Sequence, residues 1–433
     1  MIKIPMIKWF LILAVTSALA QSDSVLTLDA AMQLILERNP TIQETHISNR
    51  QARNDVAATR GARLPTFSLN SDVSRVGPDF ESGPDLNQAT RTTYRTKWLT
   101  TLGATWTLFD GLSNWRTHQQ RKSQAKAIQA HGKLVEQQSR LAISSVYLAV
   151  VQQQSLLRLQ KQMLTISRER LTIVQTRRSI GSASLLEEQQ ALLDCHADSM
   201  ALLEQDYAFA QSRRQLNQLL DRDLEFPFEV EPSFFLDSLP DEDSLWRLAQ
   251  NYAPSMAEAR LQVLASQSAL QASQGTLFPS LKAYANYNFM EEYGHRLDSA
   301  DVHDHGFLVG LALSMPLYDG GQKRAQRQQA REHLSLAKIQ EHQAERQFLW
   351  DFEQAKQQYR QARVLLELSR ENDSLASVAT DLALAQYRMG AISSLDLRQA
   401  QEKRLNFGVA LVNAQYHAKN AELQRKSLCG LSP

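Results

Sequence analysis

Hydrophobic and polar residues alternate in four short segments of the chain, two in each half. In the first segment Phe67, Leu69 and Val73 alternate with mostly polar neighbours, and the second, from Leu102 to Leu108, follows the same pattern. Alternation with a period of two predicts β-strands that have one apolar and one polar face. We expect these strands at about residues 66–75, 99–109, 280–289 and 307–317. Their lengths are near the roughly 9–11 residues with which a strand crosses a membrane.

A long stretch without proline follows each pair of strands. Both stretches are rich in Gln, Ala, Leu and Glu, which favour helices. Apolar residues recur every seven positions from Ile143 to Leu171, whereas Gln153, Gln160 and Ser167 occupy alternate seam positions. This pattern predicts long helices that pack through a coiled-coil-like seam with a solvated side. We expect one long and one returning helix in each half, at 112–180, 183–220, 320–389 and 392–429.

Several motifs occur twice in the same order. Residues 108–111 (LFDG) recur 209 residues later as 317–320 (LYDG), and Gly181 recurs at the same distance as Gly390. Both glycines are expected to end a long helix, because glycine adopts left-handed geometry without strain. Repetition over such a distance predicts an internal tandem duplication. The expected divisions are a first repeat at 21–220, a linker at 221–243 and a second repeat at 244–433.

The N-terminus has the features of a secretory signal peptide at residues 1–20. Two lysines precede an apolar run, and Ala18-Leu19-Ala20 forms a cleavage site. Without Lys3 and Lys8 the chain has 45 basic and 46 acidic residues, which gives no bias towards nucleic acid. No later segment is long and apolar enough to predict a transmembrane helix.

An exported chain with these strands is either a soluble protein, whose hairpins have one solvated face, or a membrane β-barrel. Length and alternation favour the barrel. Four strands cannot enclose an aqueous lumen, and an open sheet edge is not tolerated in lipid. We therefore expect the chain to form oligomers.

These features together resemble the TolC-like outer membrane efflux proteins (outer membrane factors). The resemblance is carried by the signal peptide, the tandem repeat, the prolines at 65 and 279 before strands, the Asp-Gly strand ends and the glycine helix turns. It implies an α+β membrane protein, a homotrimer with one twelve-stranded outer-membrane barrel and four strands per chain. A long periplasmic tunnel of α-helical coiled coils would continue the barrel, with an equatorial region around residues 221–243. The implied partners are outer-membrane lipid, a periplasmic adaptor protein and an inner-membrane transporter.

The resemblance also implies functional residues. Polar strand residues would line the barrel lumen: Asn70, Asp72, Lys282, Asn286 and Asn288. Residues of the helical turns would contact the adaptor: Arg178, Gly181, Ser184, Tyr387, Arg388, Gly390 and Ser393. Acidic and neighbouring residues would form the pore constriction, or gate: Asp396, Glu187, Glu188 and Gln399.

The constriction departs from the family pattern at two positions. Gln399 replaces a second acidic residue, and Ile392 replaces a basic one. Three symmetry copies of Asp396 would still form an acidic ring that attracts cations. The alternative is that Glu187 and Glu188 are first-turn acids favoured by the helix dipole.

No catalytic site or cofactor is expected. Residues 301–305 (DVHDH) and His295 have metal-binding side chains, but a solvated loop explains them and we expect no metal. Cys195 and Cys429 differ by 25 residues in their distance from the repeated glycines, which predicts two free thiols.

The expected function is passive export of small molecules through a tripartite efflux system. Two alternatives remain: the exit duct of a type I protein secretion system, and a periplasmic coiled-coil structural protein without a pore.

Overall fold

The computed structural model describes residues 25–76, 95–231, 235–294 and 302–431. The expected signal peptide at 1–20 lies outside them. The first half consists of α1 (Leu28–Arg38), α2 (Pro40–Gly61), β1 (Thr66–Val76), β2 (Arg95–Phe109), α3 (Ser113–Ser179) and α4 (Leu185–Leu219). The second half consists of α5 (Glu242–Tyr252), α6 (Pro254–Gly275), β3 (Ser280–Gly294), β4 (Val302–Ser314), α7 (Gln322–Arg388) and α8 (Ser394–Leu428). Each half therefore has two helices, two strands and two further helices.

Helix boundaries follow local sequence signals. Asn39 caps α2 by accepting the N–H of Thr41 at 2.8 Å, and Pro40 begins the helix. Asp241 caps α5 by accepting the N–H of Ser244 at 3.2 Å. The sequence did not lead us to expect α1 or α5. The predicted linker at 221–243 is therefore wrong at its end, because α5 begins at Glu242.

The four strands form one antiparallel sheet in the order β1-β2-β3-β4. The four predicted strands are present, with corrections at four of their ends. β2 begins at Arg95 and β4 at Val302, four and five residues earlier than predicted. β3 continues to Gly294, since its last residues pair with the start of β2. β4 ends at Ser314 and not at residue 317, because Pro316 has no N–H for a ladder hydrogen bond.

The strand register separates polar from apolar side chains. Asn70 lies opposite Thr101, and Thr101 lies opposite Asn288, so the three share one face. Thr101 Oγ1 donates a hydrogen bond to Asn288 Oδ1 at 2.9 Å. Leu69 and Leu102 are paired on the opposite face, which is largely apolar. The sheet thus has the two-faced character that the alternation predicts.

The chain divides into two compact units that both draw on its two halves. Unit 1 contains Met1–Ile35, Ala142–Asp237 and Ala362–Asn420, and unit 2 contains Leu36–Leu141, Ser238–Gln361 and Ala421–Pro433. One cluster in unit 1 is built from Val174, Ala191, Tyr387 and Leu397. One in unit 2 is built from Leu245, Ala249, Ala253, Phe348, Phe352 and Cys429. No helix in the described parts of the chain has the length and apolar character needed to span a membrane.

The predicted seam of α3 is confirmed, but its solvated side is not. Ile143, Val150 and Leu164 are buried as expected. Gln160 and Ser167 are also buried, because both face polar groups of Asp198 on α4. The polar seam positions therefore indicate buried hydrogen bonds rather than a wet surface.

Candidate functional site

The candidate site consists of the two helical turns of unit 1 and the contacts between them. In the first turn, Gly181 has φ +79°, a left-handed conformation that glycine adopts without strain. Its N–H donates to the carbonyl of Arg178 at 2.9 Å, and the next N–H, of Ser182, donates to Arg177 at 2.8 Å. Ser184 then caps α4 by accepting the N–H of Glu187 at 3.1 Å. The expected helix stop at Gly181 is confirmed.

The second turn repeats this geometry at Gly390, where φ is +81°. Ser393 and Asp396 form a reciprocal cap at the start of α8. The N–H of Asp396 donates to Ser393 Oγ at 3.2 Å, and the N–H of Ser393 donates to Asp396 Oδ2 at 3.0 Å. Hydrogen bonds from the Ser393 side chain and backbone lower the pKa of the Asp396 carboxyl below its usual value. Asp396 is thus exposed and ionised at neutral pH.

Tyr387 joins the two turns and is fully buried. Its hydroxyl donates to Glu187 Oε1 at 3.4 Å, and the guanidinium of Arg177 lies 4.7 Å from its ring centroid. Burial raises the pKa of the Tyr387 hydroxyl, so it stays protonated. Tyr387 was expected at the adaptor-facing surface; that prediction is wrong, because the hydrophobic cluster around Val174 encloses its side chain.

Several other residues of the two turns are exposed, and their roles stay predictions. Arg178 and Arg388 are exposed, although each is held by an ion pair, Arg178 to Glu188 and Arg388 to Glu169. The Nε of Arg388 lies 2.7 Å from Glu169 Oε1. Further exposed positions of the predicted sets are Gly181, Ser184, Gly390, Ser393 and Gln399.

Ile392 is one of the two positions at which the constriction departs from the family pattern. Its side chain is half-buried and packs against the cluster that contains Tyr387. An apolar side chain at this position therefore strengthens packing within the turn. Glu187 and Glu188 lie in the first turn of α4, as the helix-dipole alternative requires, and both also make side-chain contacts.

A charged cluster, with some members buried and others partly buried, joins α3, α4 and α8 close to the turns. Its members are Ser167 and Arg170 of α3, Asp194 and Asp198 of α4, and Ser394 and Arg398 of α8. Arg398 Nη1 and Nη2 donate to the two carboxylate oxygens of Asp198 at 2.9 and 3.3 Å.

Arg170 completes this charged cluster. Its Nη1 donates to Asp194 Oδ2 at 2.7 Å, and its Nε donates to Ser394 Oγ at 2.8 Å. Burial opposes the charge of Arg398, but the hydrogen bond and charge of Asp198 outweigh it and raise the pKa of that guanidinium. Sequence reasoning missed the cluster, although the polar seam position Ser167 was a signal for it.

The predicted lumen residues lie together on the sheet in unit 2. Asn286 pairs with Gly103 and Asn288 with Thr101, and Asn70 and Asp72 lie on the same polar face. Lys282 pairs with Thr107 on that face. A side chain at Gly103 would approach Asn286 Oδ1 to 3.0 Å, so a small residue here leaves room for the amide.

The histidine-rich segment does not assemble a metal site in the part of the chain that the structure describes. His303 Nδ1 lies 4.0 Å from Glu291 Oε1 on the neighbouring strand. No group of three or more potential ligands is found among the described residues. Two members of the sequence motif, His295 and Asp301, lie outside that part. Cys195 and Cys429 are free and buried, which confirms the prediction of two free thiols.

The polar-faced sheet, the long helices and the repeated turns define an outer-membrane channel fold. The chain belongs to the outer membrane efflux protein family, whose model matches residues 31–222 and 245–431. It is therefore an outer-membrane protein that extends into the periplasm, and it is not an enzyme.

Similar proteins agree with this family. The outer membrane efflux protein BepC of Brucella suis biovar 1 (strain 1330) is 21% identical over 412 residues, 93% of this chain and 86% of BepC. The outer membrane channel CmeC of Campylobacter jejuni has a TM-score of 0.81 and 16% identity, covering 94% of this chain and 86% of CmeC. The outer membrane protein VceC of Vibrio cholerae has a TM-score of 0.78 and 17% identity, covering 94% of this chain and 97% of VceC. At these identities, the structural likeness establishes the fold.

Proposed function

We propose that the chain forms the outer-membrane exit duct of a tripartite efflux system. As a homotrimer it would pass small molecules from a periplasmic adaptor and an inner-membrane pump to the exterior. The polar face of the sheet is the observation that carries this proposal, since a channel requires a polar lumen beside an apolar outer face. Family membership and the likeness to BepC support export as the role.

Exposed apolar residues support the association of copies. On α4, Leu193, Met200 and Tyr207 recur every seven residues, and each is more than half exposed. On α7, Leu368, Leu375 and Leu382 have the same spacing and are also more than half exposed. A heptad of exposed apolar residues is typical of a helix that packs against another chain. In the proposed trimer these two stripes lie at contacts between protomers.

The turn residues support a constriction at one end of the helices. Asp396 is exposed and ionised, as an acidic ring requires, and the trimer would hold three copies of its carboxylate. Glu187, Glu188 and Gln399 would complete this region. Exposed residues of the same turns, Arg178 and Arg388 among them, would contact the adaptor. We also propose that the two halves arose by internal duplication, since their elements follow the same order.

Single-channel recording in planar bilayers tests the pore. We expect heat-modifiable trimers from the outer-membrane fraction that conduct ions. Asp396→Asn should lower cation selectivity and weaken block by trivalent cations, whereas Glu367→Gln, an exposed charge change on a different helix, α7, should change neither. Wild-type protein that gives no conductance would refute the pore, and unchanged selectivity in Asp396→Asn would refute the acidic ring.

A deletion strain identifies the cargo. We expect loss of the chain to raise intracellular accumulation of small dyes and drugs, and the wild-type gene to restore their export. Retention of a secreted protein, with unchanged dye accumulation, would instead favour the type I secretion duct.

A further inference from the structure

We propose that the end of α2 and the start of α3 bind the phosphate group of an anionic phospholipid at the periplasmic surface of the outer membrane. The binding side chains are Arg60, Arg63 and Lys122, which we call the basic cluster. This inference rests on the proposed barrel, because the barrel places the ends of the strands at the membrane surface. It assigns a lipid ligand to residues that the proposed channel does not otherwise use.

The three cations of the basic cluster surround one buried histidine. Arg60 lies in the last turn of α2, and Arg63 follows the end of that helix. Lys122 lies one turn beyond His118 on α3, and a hydrogen bond of 2.8 Å between Thr59 Oγ1 and His118 Nδ1 joins the two helices here. Burial lowers the pKa of His118, and the charges of all three cations lower it further. His118 is therefore neutral at pH 7, and the basic cluster carries three positive charges.

No carboxylate in the described part of the chain pairs with the basic cluster. Nε and Nη2 of Arg63 are buried without a hydrogen-bond partner among the described residues, and neither Arg60 nor Lys122 forms an ion pair there. Asp55, on the same helix as Arg60, instead lies 3.9 Å from Arg121. Buried guanidinium nitrogens without partners are costly, and like charges repel. An anion from outside the chain would relieve both.

The fold itself does not require these cations. The 214-residue shift that relates Pro65 to Pro279 carries Arg60 to Gln274 and Arg63 to Leu277, yet α6 has the same length as α2 and also ends at a glycine. The helix dipole favours a cation in the last turn of α2. It does not explain Lys122, which lies in the third turn of α3.

The basic cluster adjoins the apolar face of the sheet, which the proposed barrel turns towards lipid. The indole N–H of Trp106, on the same face of β2 as Leu102, donates to the carbonyl oxygen of Arg63 at 2.9 Å. Trp106 and Trp115 are both about half exposed. Exposed tryptophan is typical of the level at which a membrane meets water. The neighbouring cations then lie at the depth of the lipid phosphates.

The surplus of charge selects the kind of lipid. A phosphate oxygen accepts charge-assisted hydrogen bonds from guanidinium and ammonium groups. The amine of a zwitterionic headgroup would be repelled by the cations that remain, whereas an anionic headgroup brings no positive charge. Inorganic phosphate offers the same oxygens but has no acyl chains to pack on the exposed ring of Trp106. The three cations and the exposed tryptophan together therefore favour an anionic phospholipid.

Native mass spectrometry of the full-length protein in detergent tests the lipid site. Dioleoyl phosphatidylglycerol, which is anionic, and dioleoyl phosphatidylcholine, which is zwitterionic, are titrated separately, and the lipid-bound fraction gives each dissociation constant. We expect wild-type protein to bind phosphatidylglycerol roughly tenfold more tightly than phosphatidylcholine. A large molar excess of inorganic phosphate should not displace the bound phosphatidylglycerol.

The variant Arg60→Gln with Lys122→Gln removes two exposed charges of the basic cluster, so the chain should fold normally. Because each cation near a membrane surface strengthens the binding of anionic lipid about fivefold, this variant should bind phosphatidylglycerol roughly 25-fold more weakly. The matched control, Arg50→Gln with Lys133→Gln, removes two exposed charges from the same two helices, about 15 Å along each helix from the cluster. The control should keep the wild-type affinity.

The outcomes separate this inference from the proposed function. An affinity of the double variant within threefold of wild type, or an equal loss in the matched control, would overturn the lipid site. Displacement of the lipid by inorganic phosphate would assign the cluster to a free anion and overturn it as well. Wild-type protein that conducts ions but binds both lipids equally would overturn the lipid site alone. Protein that binds phosphatidylglycerol as expected but does not conduct would support the lipid site and refute the proposed pore.

Discussion

Replacing Asp198 with alanine removes the carboxylate through which α4 holds both α3 and α8. Asp198 is almost fully buried, and it accepts hydrogen bonds from Ser167 and from two nitrogens of Arg398. Arg398 would keep Glu402, whose Oε1 lies 3.2 Å from its Nε, and a more distant contact with Asp194 at 4.0 Å. The guanidinium is therefore left partly, but not wholly, without a counter-charge.

The expected cost follows from these contacts. Breaking a buried ion pair by removing one partner costs about 3–5 kcal/mol. Because Arg398 retains these other contacts, we expect Asp198→Ala to lower the free energy of local unfolding by about 3 kcal/mol, the lower end of that range. That is roughly a hundredfold increase in the equilibrium constant for local opening. Leucine at both Asp198 and Arg398 should be far less harmful, because it removes both charges and restores packing.

Hydrogen exchange measured by mass spectrometry on the detergent-solubilised protein reports this opening. Peptides of α4 and α8 around the cluster should lose roughly a hundredfold in protection in Asp198→Ala. Glu402→Ala is the control, since its exposed pair should contribute less than about 0.5 kcal/mol. Protection within threefold of wild type in Asp198→Ala, or a double leucine variant as unstable as the single one, would refute the reasoning.

Three further predictions concern other parts of the chain. Because the pKa of Asp396 is lowered in the folded protein, the cap that it forms should be complete above the ordinary value of 3.8 and lost as the pH falls through the lower folded value. Faster hydrogen exchange at the start of α8, corrected for intrinsic rates, would reveal this loss. Equal hydrogen exchange in wild type and Asp396→Asn at pH 6 would contradict the prediction. Cys195 and Cys429 should resist aromatic thiol reagents until the protein is denatured, because both are buried and burial raises the pKa of Cys429; rapid labelling of native protein would contradict this. Tyr387→Ala should lower the free energy of local unfolding by about 3–5 kcal/mol, whereas Tyr387→Phe should lower it by about 1 kcal/mol. Hydrogen exchange at the two turns measures both values, and equal effects would show that the buried ring is unimportant.

Much of the fold could be predicted because its signals are local. Alternation identified the four strands that the structure describes, and the left-handed glycines at 181 and 390 identified both turns. Ser184 and Ser393 cap the returning helices through hydrogen bonds to residues three positions along the chain, which is also a local signal. The boundary of β4 was missed even though Pro316 was a local signal, because the apolar alternation continues past it.

The charged cluster could not be predicted because its partners are distant in the sequence. Ser167 meets Asp198 across 31 residues, and Arg398 meets it across 200. A heptad pattern does not indicate which helix will face a polar seam position. The sequence therefore could not show whether Ser167 is buried or exposed. Tyr387 was misjudged for the same reason, since its burial depends on Val174 and Ala191.

The order of strands in the sheet has a consequence for biogenesis. β1 pairs with one edge of β2, but the other edge of β2 pairs with β3 of the second half, and the hydrogen bond between Thr101 and Asn288 there closes a separation of 187 residues. During export the first hairpin must therefore wait, with an unsatisfied edge, until the second half has crossed the inner membrane. Such long-range pairing slows folding and leaves strand edges open to aggregation. Periplasmic chaperones that shield extended apolar segments should consequently bind the region of β1 and β2 before any other part of the sheet.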